Sequence, residues 1–140
     1  MIERSKRKLA EFASQNLSLL VEKGDRILFA SHGKRLEPLL QAILALGEAS
    51  QGTTVIDKML GGAAAKLLVY ARVRKVLTPV ASKPAVDILQ EAGIPLEAIQ
   101  VIDRVRRNDG RLCRMEALSL CFLDPAVFYT EIARRLDSSP

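Results

Sequence analysis

The chain has 140 residues and a formal net charge of +5, and 49% of its residues are hydrophobic. This length suits one domain with a proper core, and this composition excludes a disordered chain. No apolar run approaches the roughly 20 residues that cross a membrane, and the N-terminus is amphipathic rather than signal-like, so we expect a cytoplasmic protein without a membrane partner.

The first half of the chain alternates between helical and extended patterns. Apolar residues recur every three or four positions from Leu9 to Val21, which is typical of an amphipathic helix, and Gly24 stands where its C-cap belongs. Pro38 fits the first turn of a second helix. The elements predicted here are a helix (4–22), a hairpin of two strands (26–31 and 35–36), a helix (39–46) and a short extended stretch (54–56).

The second half continues this alternation. Asp57 is suited to cap a third helix, Ser82 is a natural N-cap with Pro84 in the following turn, and Pro125 begins a last amphipathic helix. The elements predicted here are a helix ending near residue 72, a strand (74–79), a helix (83–92), a strand (98–102) and two helices (113–120 and 125–136).

This order of elements predicts an α/β fold, a three-layer α/β/α sandwich around a mixed sheet. The hairpin supplies antiparallel strands, and crossover helices make the later strands parallel. We predict a single domain over 1–140, in which an N-terminal helix (1–23) and a C-terminal helix with its tail (121–140) flank a core (24–120).

The segment 57–66 is the first candidate site because two adjacent glycines, Gly61 and Gly62, interrupt a predicted helix. Each glycine costs about 1 kcal/mol relative to alanine inside a helix. The glycines could permit close packing on the sheet. They could also let an anionic ligand approach the helix N-terminus, where Lys58 adds a positive charge.

Four further side chains are candidates for chemistry, and each has an ordinary structural alternative. Asp57 could be an acid, a base or a ligand-orienting group, or simply an N-cap, and Ser82 could contact a ligand or only cap its helix. Cys113 lies among arginines that lower a thiol pKa, so it could be a nucleophile or a buried structural cysteine. Glu116 could orient a ligand amine or form an ion pair.

The segment 104–114 contains five arginines and one aspartate, and it could attract phosphate through residues such as Asn108 and Arg111. A solvated surface loop is the ordinary alternative. One histidine and two cysteines, with no Cys-x-x-Cys or His-x-Glu motif, leave too few ligands for a zinc site. We therefore predict no metal and no cofactor.

Several of these residues recur in one order and spacing: Asp57-Lys58, Gly61, Ala63-Ala64-Ala65, Ser82 and Cys113-x-Met115-Glu116. Together they resemble a bacterial family known only as a domain of unknown function, DUF1893, over residues 24–116. The Thermotoga representative of that family has a fold related to the cytidine deaminases, so the resemblance implies a cytidine deaminase-like core.

Zinc deaminases hold the metal with His and Cys ligands at two helix starts, beside a catalytic Glu. The corresponding helix starts in this chain, 57–62 and 82–84, contain neither an imidazole nor a thiolate. The resemblance therefore implies the fold without the zinc motifs.

Two functions remain open, and the sequence does not decide whether the protein is an enzyme or whether it forms a homo-oligomer. The first is a metal-independent binder of a small nucleotide-like or phosphorylated ligand, which we favour. The second is a nucleic-acid-associated or protein-interaction module that uses the arginine-rich segment. Under the first hypothesis the catalytic candidates are Asp57, Cys113 and Glu116, and the ligand-binding candidates are Lys58, Gly61, Gly62, Ser82, Asn108 and Arg111.

Overall fold

The computed structural model of the protein describes residues 2–106, 109–111, 114–119 and 122–137. These residues form five strands and six α-helices, with a short 3-10 turn at Gly47–Ser50. In chain order the elements are α1 (Glu3–Ser14), β1 (Leu19–Lys23), β2 (Arg26–Ser31), α2 (Glu37–Leu46), β3 (Thr54–Asp57), α3 (Gly62–Ala71), β4 (Lys75–Ser82), α4 (Lys83–Glu91), β5 (Leu96–Ile102), α5 (Arg114–Ser119) and α6 (Pro125–Asp137).

The strands form one mixed sheet in the order β2-β1-β3-β4-β5. β1 is antiparallel to both of its neighbours, whereas β3, β4 and β5 are parallel to one another. Helices α3 and α4 are the crossovers that parallel neighbours require. The predicted α/β architecture with a mixed sheet is confirmed.

Helices cover both faces of the sheet, and strand alternation divides the core between them. Val55 of β3 belongs to the larger apolar cluster, which lies under α2, α3, α4 and α6. The next residue, Ile56, faces the other way and packs with Leu9 and Phe12 of α1. Among the described helices, α1 therefore covers one face, and the others lie on the opposite side.

The predicted first helix is wrong beyond Ser14. Asn16 adopts a left-handed φ of 57° that ends the helix, and the chain then enters β1, in which Leu19 and Val21 are buried. These leucine and valine positions fit both a helical and an alternating period. Pairing of β1 with strands on both sides decides in favour of the strand.

The predicted hairpin is displaced along the chain. Gly24 (φ 61°) is not a helix C-cap but part of the turn between β1 and β2. The predicted return strand at 35–36 is wrong, since these residues form a turn before α2, with Arg35 at a φ of 60°.

β4 does not end at Pro79, as predicted, but continues to Ser82. β4 pairs with β5 on both sides of the proline, at Thr78 and at Val80. The sheet therefore tolerates the missing N–H donor of Pro79. Helices α2, α4 and α6 are confirmed close to their predicted bounds. The longest of them, α6, has 13 residues, and no helix in the described ranges is long and apolar enough to cross a membrane.

Candidate functional site

Four of the described strands end along one edge of the sheet, which we call the carboxyl edge. β2 ends at Ser31 and β3 at Asp57, and both residues pair with Leu19 of β1. β4 ends at Ser82, which pairs with Ile102 at the end of β5. Ligands of α/β proteins bind outside the carboxyl ends of parallel strands, so this edge is the first place to look for a site.

β3 leaves the sheet after Asp57 and rejoins it at Leu60. The N–H of Leu60 donates to the carbonyl of Val80 at 2.9 Å, and the N–H of Ser82 donates to the carbonyl of Leu60 at 2.9 Å. α3 begins directly afterwards, with Gly61 at its N-cap. This detour brings the start of α3 alongside the start of α4.

Thr78 supports the backbone of β4 beside the point where β3 leaves the sheet. Its Oγ1 donates to the carbonyl of Val80 at 2.9 Å and accepts the N–H of Val80 at 3.3 Å. Thr78 is completely buried, and its bonds to the backbone of Val80 add to the bond from Leu60 and to the pairing of Val80 with Gln100 of β5. A threonine within a strand gives no sequence signal of this role, and our sequence analysis missed it.

Asp57 is held where its charge is unfavourable. Loss of water around the carboxyl group raises its pKa from 3.8 to about 7, although hydrogen bonds from the N–H groups of Met59 and Lys58 act in the opposite direction. The residue keeps partial exposure. A carboxyl group that titrates near neutral pH can accept or release a proton during binding or catalysis. The prediction that Asp57 caps α3 is wrong, because four residues separate it from the helix.

Ser82 has the structural role that its sequence context predicts. It is completely buried, and its Oγ accepts the N–H of Ala85 at 3.3 Å as the N-cap of α4. This confirms the capping prediction. A contact between Ser82 and a ligand stays a prediction.

The two glycines lie at the start of α3 rather than inside it. Gly62 is its first residue and is buried, and Gly61 precedes it in an extended conformation with a φ of −97°. The predicted interior penalty therefore does not apply in full. Their role as backbone that a ligand approaches stays a prediction, and Lys58 lies exposed four residues before the helix.

Three exposed lysines follow the strand ends of the carboxyl edge. Lys34 follows β2, Lys58 follows β3 and Lys83 follows β4. Within the described ranges none of the three forms a salt bridge. The sequence singled out Lys58 alone, although Lys34 also follows a predicted strand end within three residues and Lys83 follows one by four.

The arginine-rich segment begins at the same edge, after β5, but Arg106 and Arg111 within it have local partners. Arg106 forms a 3.0 Å salt bridge with Asp103 and donates to the carbonyl of Gly110 at 3.3 Å. The hydrogen bond from Arg106 holds the pKa of Asp103 below its usual value. Arg111 lies 3.9 Å from Asp109. Its predicted ligand-binding role stays a prediction.

Three predicted residues cannot be placed relative to these groups. Asn108 and Cys113 lie outside the described residues, and so does the side chain of Glu116. The helix that carries Glu116, α5, packs against α3. The structure thus brings Asp57, Lys58 and the two helix starts to one edge, and it does not locate the second half of the predicted cleft.

Lys66, one turn into α3, is a buried cation that sequence analysis missed. Its Nζ donates to the carbonyl oxygens of Ser119 and Phe122 and lies 5.8 Å from the centre of the Phe128 ring. These contacts tie α3 to Ser119 at the end of α5 and to Phe122, shortly before α6. A lysine amid Ala and Leu residues was the available signal.

The donors at the two helix starts do not fit a zinc ion. Asp57 is the one carboxylate in 57–62, and in 82–85 the Ser82 hydroxyl is used by the helix cap. The single histidine, His32, is exposed and donates through Nδ1 to the carbonyl of Asn16 at 3.0 Å. No group of three His, Cys, Asp or Glu side chains in the described part of the chain is arranged to hold a metal ion.

Comparison with known proteins identifies one family. Residues 7–135 match the domain of unknown function DUF1893. The crystal structure of a DUF1893 family protein from Thermotoga maritima is 30% identical, with a TM-score of 0.83 over 96% of this chain and 92% of that chain. No functionally curated protein shows significant sequence similarity.

Two more distant structures share the fold. RibD from Acinetobacter baumannii is 23% identical with a TM-score of 0.51, and the match covers 66% of this chain and 33% of that one. The dCMP deaminase of cyanophage S-TIM5 is 15% identical with a TM-score of 0.53, covering 73% of this chain and all of that one. The predicted deaminase-like fold is confirmed.

Proposed function

The chain belongs to the DUF1893 family of unknown function, and from that premise we propose that it binds a small phosphorylated, nucleotide-like ligand at the carboxyl edge without a metal ion. The observation that carries this proposal is Asp57, a carboxyl group with a pKa of about 7 beside the start of α3. Charged groups are seldom kept where they are unfavourable unless a function requires them.

The charges around Asp57 support an anionic ligand. Lys34, Lys58 and Lys83 are exposed just beyond the ends of β2, β3 and β4, where only the antiparallel β1 separates β2 from β3. Helices α3 and α4 both begin at this edge, and helix N-termini favour negative charge through their dipoles. A phosphate group would gain from both contributions.

Asp57 is suited to bind the base of a nucleotide. A carboxyl group near half-ionisation can accept a hydrogen bond from a base amine or donate one to a ring nitrogen. The deaminase of cyanophage S-TIM5, which shares the fold, has dCMP in its name. The likeness of fold makes nucleotides the first ligands to test, although fold alone does not establish function.

No observation favours the second hypothesis, a nucleic-acid or protein-interaction module on the arginine-rich segment. Arg106 and Arg111 lie against aspartates, which reduces the charge that they offer to a phosphate backbone. Aromatic side chains make up only 4% of the chain, so a stacking platform for single strands has little to build on.

Calorimetric titration with dCMP, deoxycytidine and ribose 5-phosphate tests the proposal. We expect dCMP to bind, deoxycytidine to bind more weakly because it lacks the phosphate, and Lys58→Ala to lose affinity for dCMP. Lys6→Ala is the matched control, since Lys6 is also exposed but lies on α1, next to Ser5, which donates to Glu97 near the start of β5. If neither phosphorylated compound binds, and DNA or RNA binds in physiological salt, the proposal is wrong.

A further inference from the structure

His32 is an exposed histidine whose ring is held in place at the carboxyl edge. It follows Ser31, the last residue of β2, and its Nδ1 donates to the carbonyl of Asn16 at 3.0 Å. Because this bond fixes the orientation of the ring, little side-chain entropy remains to be lost when a ligand binds to it.

The backbone on either side of His32 is also constrained. The hydroxyl of Ser31 accepts the N–H of Gly33 at 3.0 Å. A Cβ atom at Gly33 would lie 3.0 Å from Cγ of Pro38, at the start of α2, so the turn packs too closely to hold a side chain at this position. The turn therefore presents the ring of His32 from a rigid position.

Hydrogen bonds connect this turn to the detour that follows β3. The N–H of Ser18 donates to the carbonyl of Ser31 at 2.9 Å, and the N–H of Lys58 donates to the carbonyl of Ser18 at 3.1 Å. The turn that carries His32 and the residue next to Asp57 are therefore joined through the backbone of Ser18.

The separation between these two groups suits a nucleotide. Ser31 and Asp57 both pair with Leu19 of β1, which places them two strand spacings apart, about 10 Å. A nucleotide spans a comparable length between its base and its phosphate. If Asp57 binds the base, His32 and Lys34 lie at the distance of the phosphate.

The hydrogen bond at Nδ1 leaves the other ring nitrogen of His32 for a ligand. Because the carbonyl of Asn16 can only accept, Nδ1 carries the proton in the neutral ring. Nε2 has no hydrogen-bond partner within the described ranges. A proton taken from solvent by Nε2 makes the ring a cation without disturbing the bond to Asn16, and this cation can donate to a phosphate oxygen.

We propose that His32 binds the phosphate of the ligand through Nε2, with the base of the ligand at Asp57. This inference rests on the proposed function, and it adds the direction in which the ligand lies along the carboxyl edge. The charges beside His32 support a phosphate there, since Lys34 and Arg35 follow it in the same connection and Glu37, at the start of α2, is the one carboxylate of residues 32–37.

Nuclear magnetic resonance of the imidazole tests the contact directly, because the chain contains one histidine. The protein is labelled with ¹⁵N-histidine and carries no histidine tag. We expect the free protein to show the tautomer with the proton on Nδ1. At neutral pH, dCMP and ribose 5-phosphate should move the Nε2 resonance toward that of an imidazolium, whereas deoxycytidine should leave it unchanged. The opposite tautomer in the free protein would overturn the proposal.

Calorimetric titration of His32→Asn tests the energy of the contact. The asparagine amide can replace the bond from Nδ1 to Asn16 but has no group in the place of Nε2. We expect this variant to bind dCMP at least about tenfold more weakly, the loss typical of a hydrogen bond to a charged group, and to bind deoxycytidine as the wild type does.

The two experiments separate this proposal from the proposed function. If wild-type protein binds dCMP without a change in the Nε2 resonance, or if His32→Asn binds dCMP as tightly as the wild type, His32 is not the phosphate contact, although the carboxyl edge still binds the ligand. If neither dCMP nor ribose 5-phosphate binds to the wild type, the proposed function is wrong, and the role of His32 is wrong with it.

Discussion

Asp57 and Ser82 stand at the ends of adjacent parallel strands, yet their surroundings differ in kind. Ser82 is buried and its hydroxyl completes the cap of α4. Asp57 keeps partial exposure, and the loss of water around its carboxyl group raises its pKa to about 7. One polar group therefore stabilises the local fold, whereas the other is retained at a cost to the fold.

This contrast indicates which residue at the carboxyl edge has a function beyond folding. A serine that caps its own helix is accounted for by the stability that the cap provides. A carboxyl group that the fold holds in an unfavourable place needs another explanation, and binding or proton transfer supplies one. The comparison predicts opposite effects on stability when the two residues are replaced.

The largest effect is expected for Asp57→Asn at alkaline pH. Because the folded pKa of Asp57 is raised above its unfolded value, its neutral form is favoured in the folded state. Its contribution to stability is complete below pH 4 and is lost as pH rises through about 7. The loss is at most about 4 kcal/mol, and less because the residue is partly exposed to water.

Urea unfolding between pH 5 and pH 8 measures this effect. Wild-type stability should fall with rising pH, and Asp57→Asn should flatten that fall and be more stable at pH 8. If the stability of both proteins falls equally with rising pH, Asp57 is not the group whose ionisation lowers it. The same variant should bind dCMP more weakly. It would then gain stability at pH 8 while it loses function.

A smaller effect, of about 2 kcal/mol, is expected for Thr78→Val. This change keeps the shape of the side chain but removes the hydroxyl that serves both the N–H and the carbonyl of Val80. Thermal unfolding with calorimetry measures the loss. An unchanged unfolding temperature would mean that the bond from Leu60 and the pairing with β5 suffice for Val80, and that the hydroxyl of Thr78 adds no stability.

Ser82→Ala should lower stability by about 1 kcal/mol through loss of the helix cap. Because the cap accounts for the serine, the affinity for dCMP should stay the same. Chemical denaturation and titration of the same preparation compare the two quantities. A loss of affinity without loss of stability would reverse the comparison and make Ser82 a ligand contact.

The smallest effect on stability is expected for Lys83→Ala, within about 0.5 kcal/mol, since an exposed side chain without a salt bridge contributes little to folding. Its effect on binding should be larger, and dCMP affinity should become less sensitive to salt. If affinity and its salt dependence both match the wild type, Lys83 does not face the ligand.

The sequence was sufficient where the determinants are local. Ser82 and Pro84 identify the start of α4, and Pro125 identifies that of α6, because a cap or a proline acts within one helical turn. β1 could not be predicted, because Leu19 and Val21 fit two periods and pairing with distant strands decides between them.

The sequence predicted where the candidate site lies, but not the environment of its side chains. The adjacent glycines indicated the start of α3, and the strand ends indicated the edge. The burial that raises the pKa of Asp57 depends on how β3 leaves the sheet and returns at Leu60. No local pattern encodes that path.

Lys66 has a consequence for the order in which the protein can mature during synthesis. All five strands have been made once Ile102 leaves the ribosome, but the carbonyl groups that accept from Lys66 belong to Ser119 and Phe122. Until those residues arrive, an ammonium group inside α3 lacks these two acceptors. A nascent chain that holds the complete sheet is therefore still immature, and its final consolidation depends on the last helices.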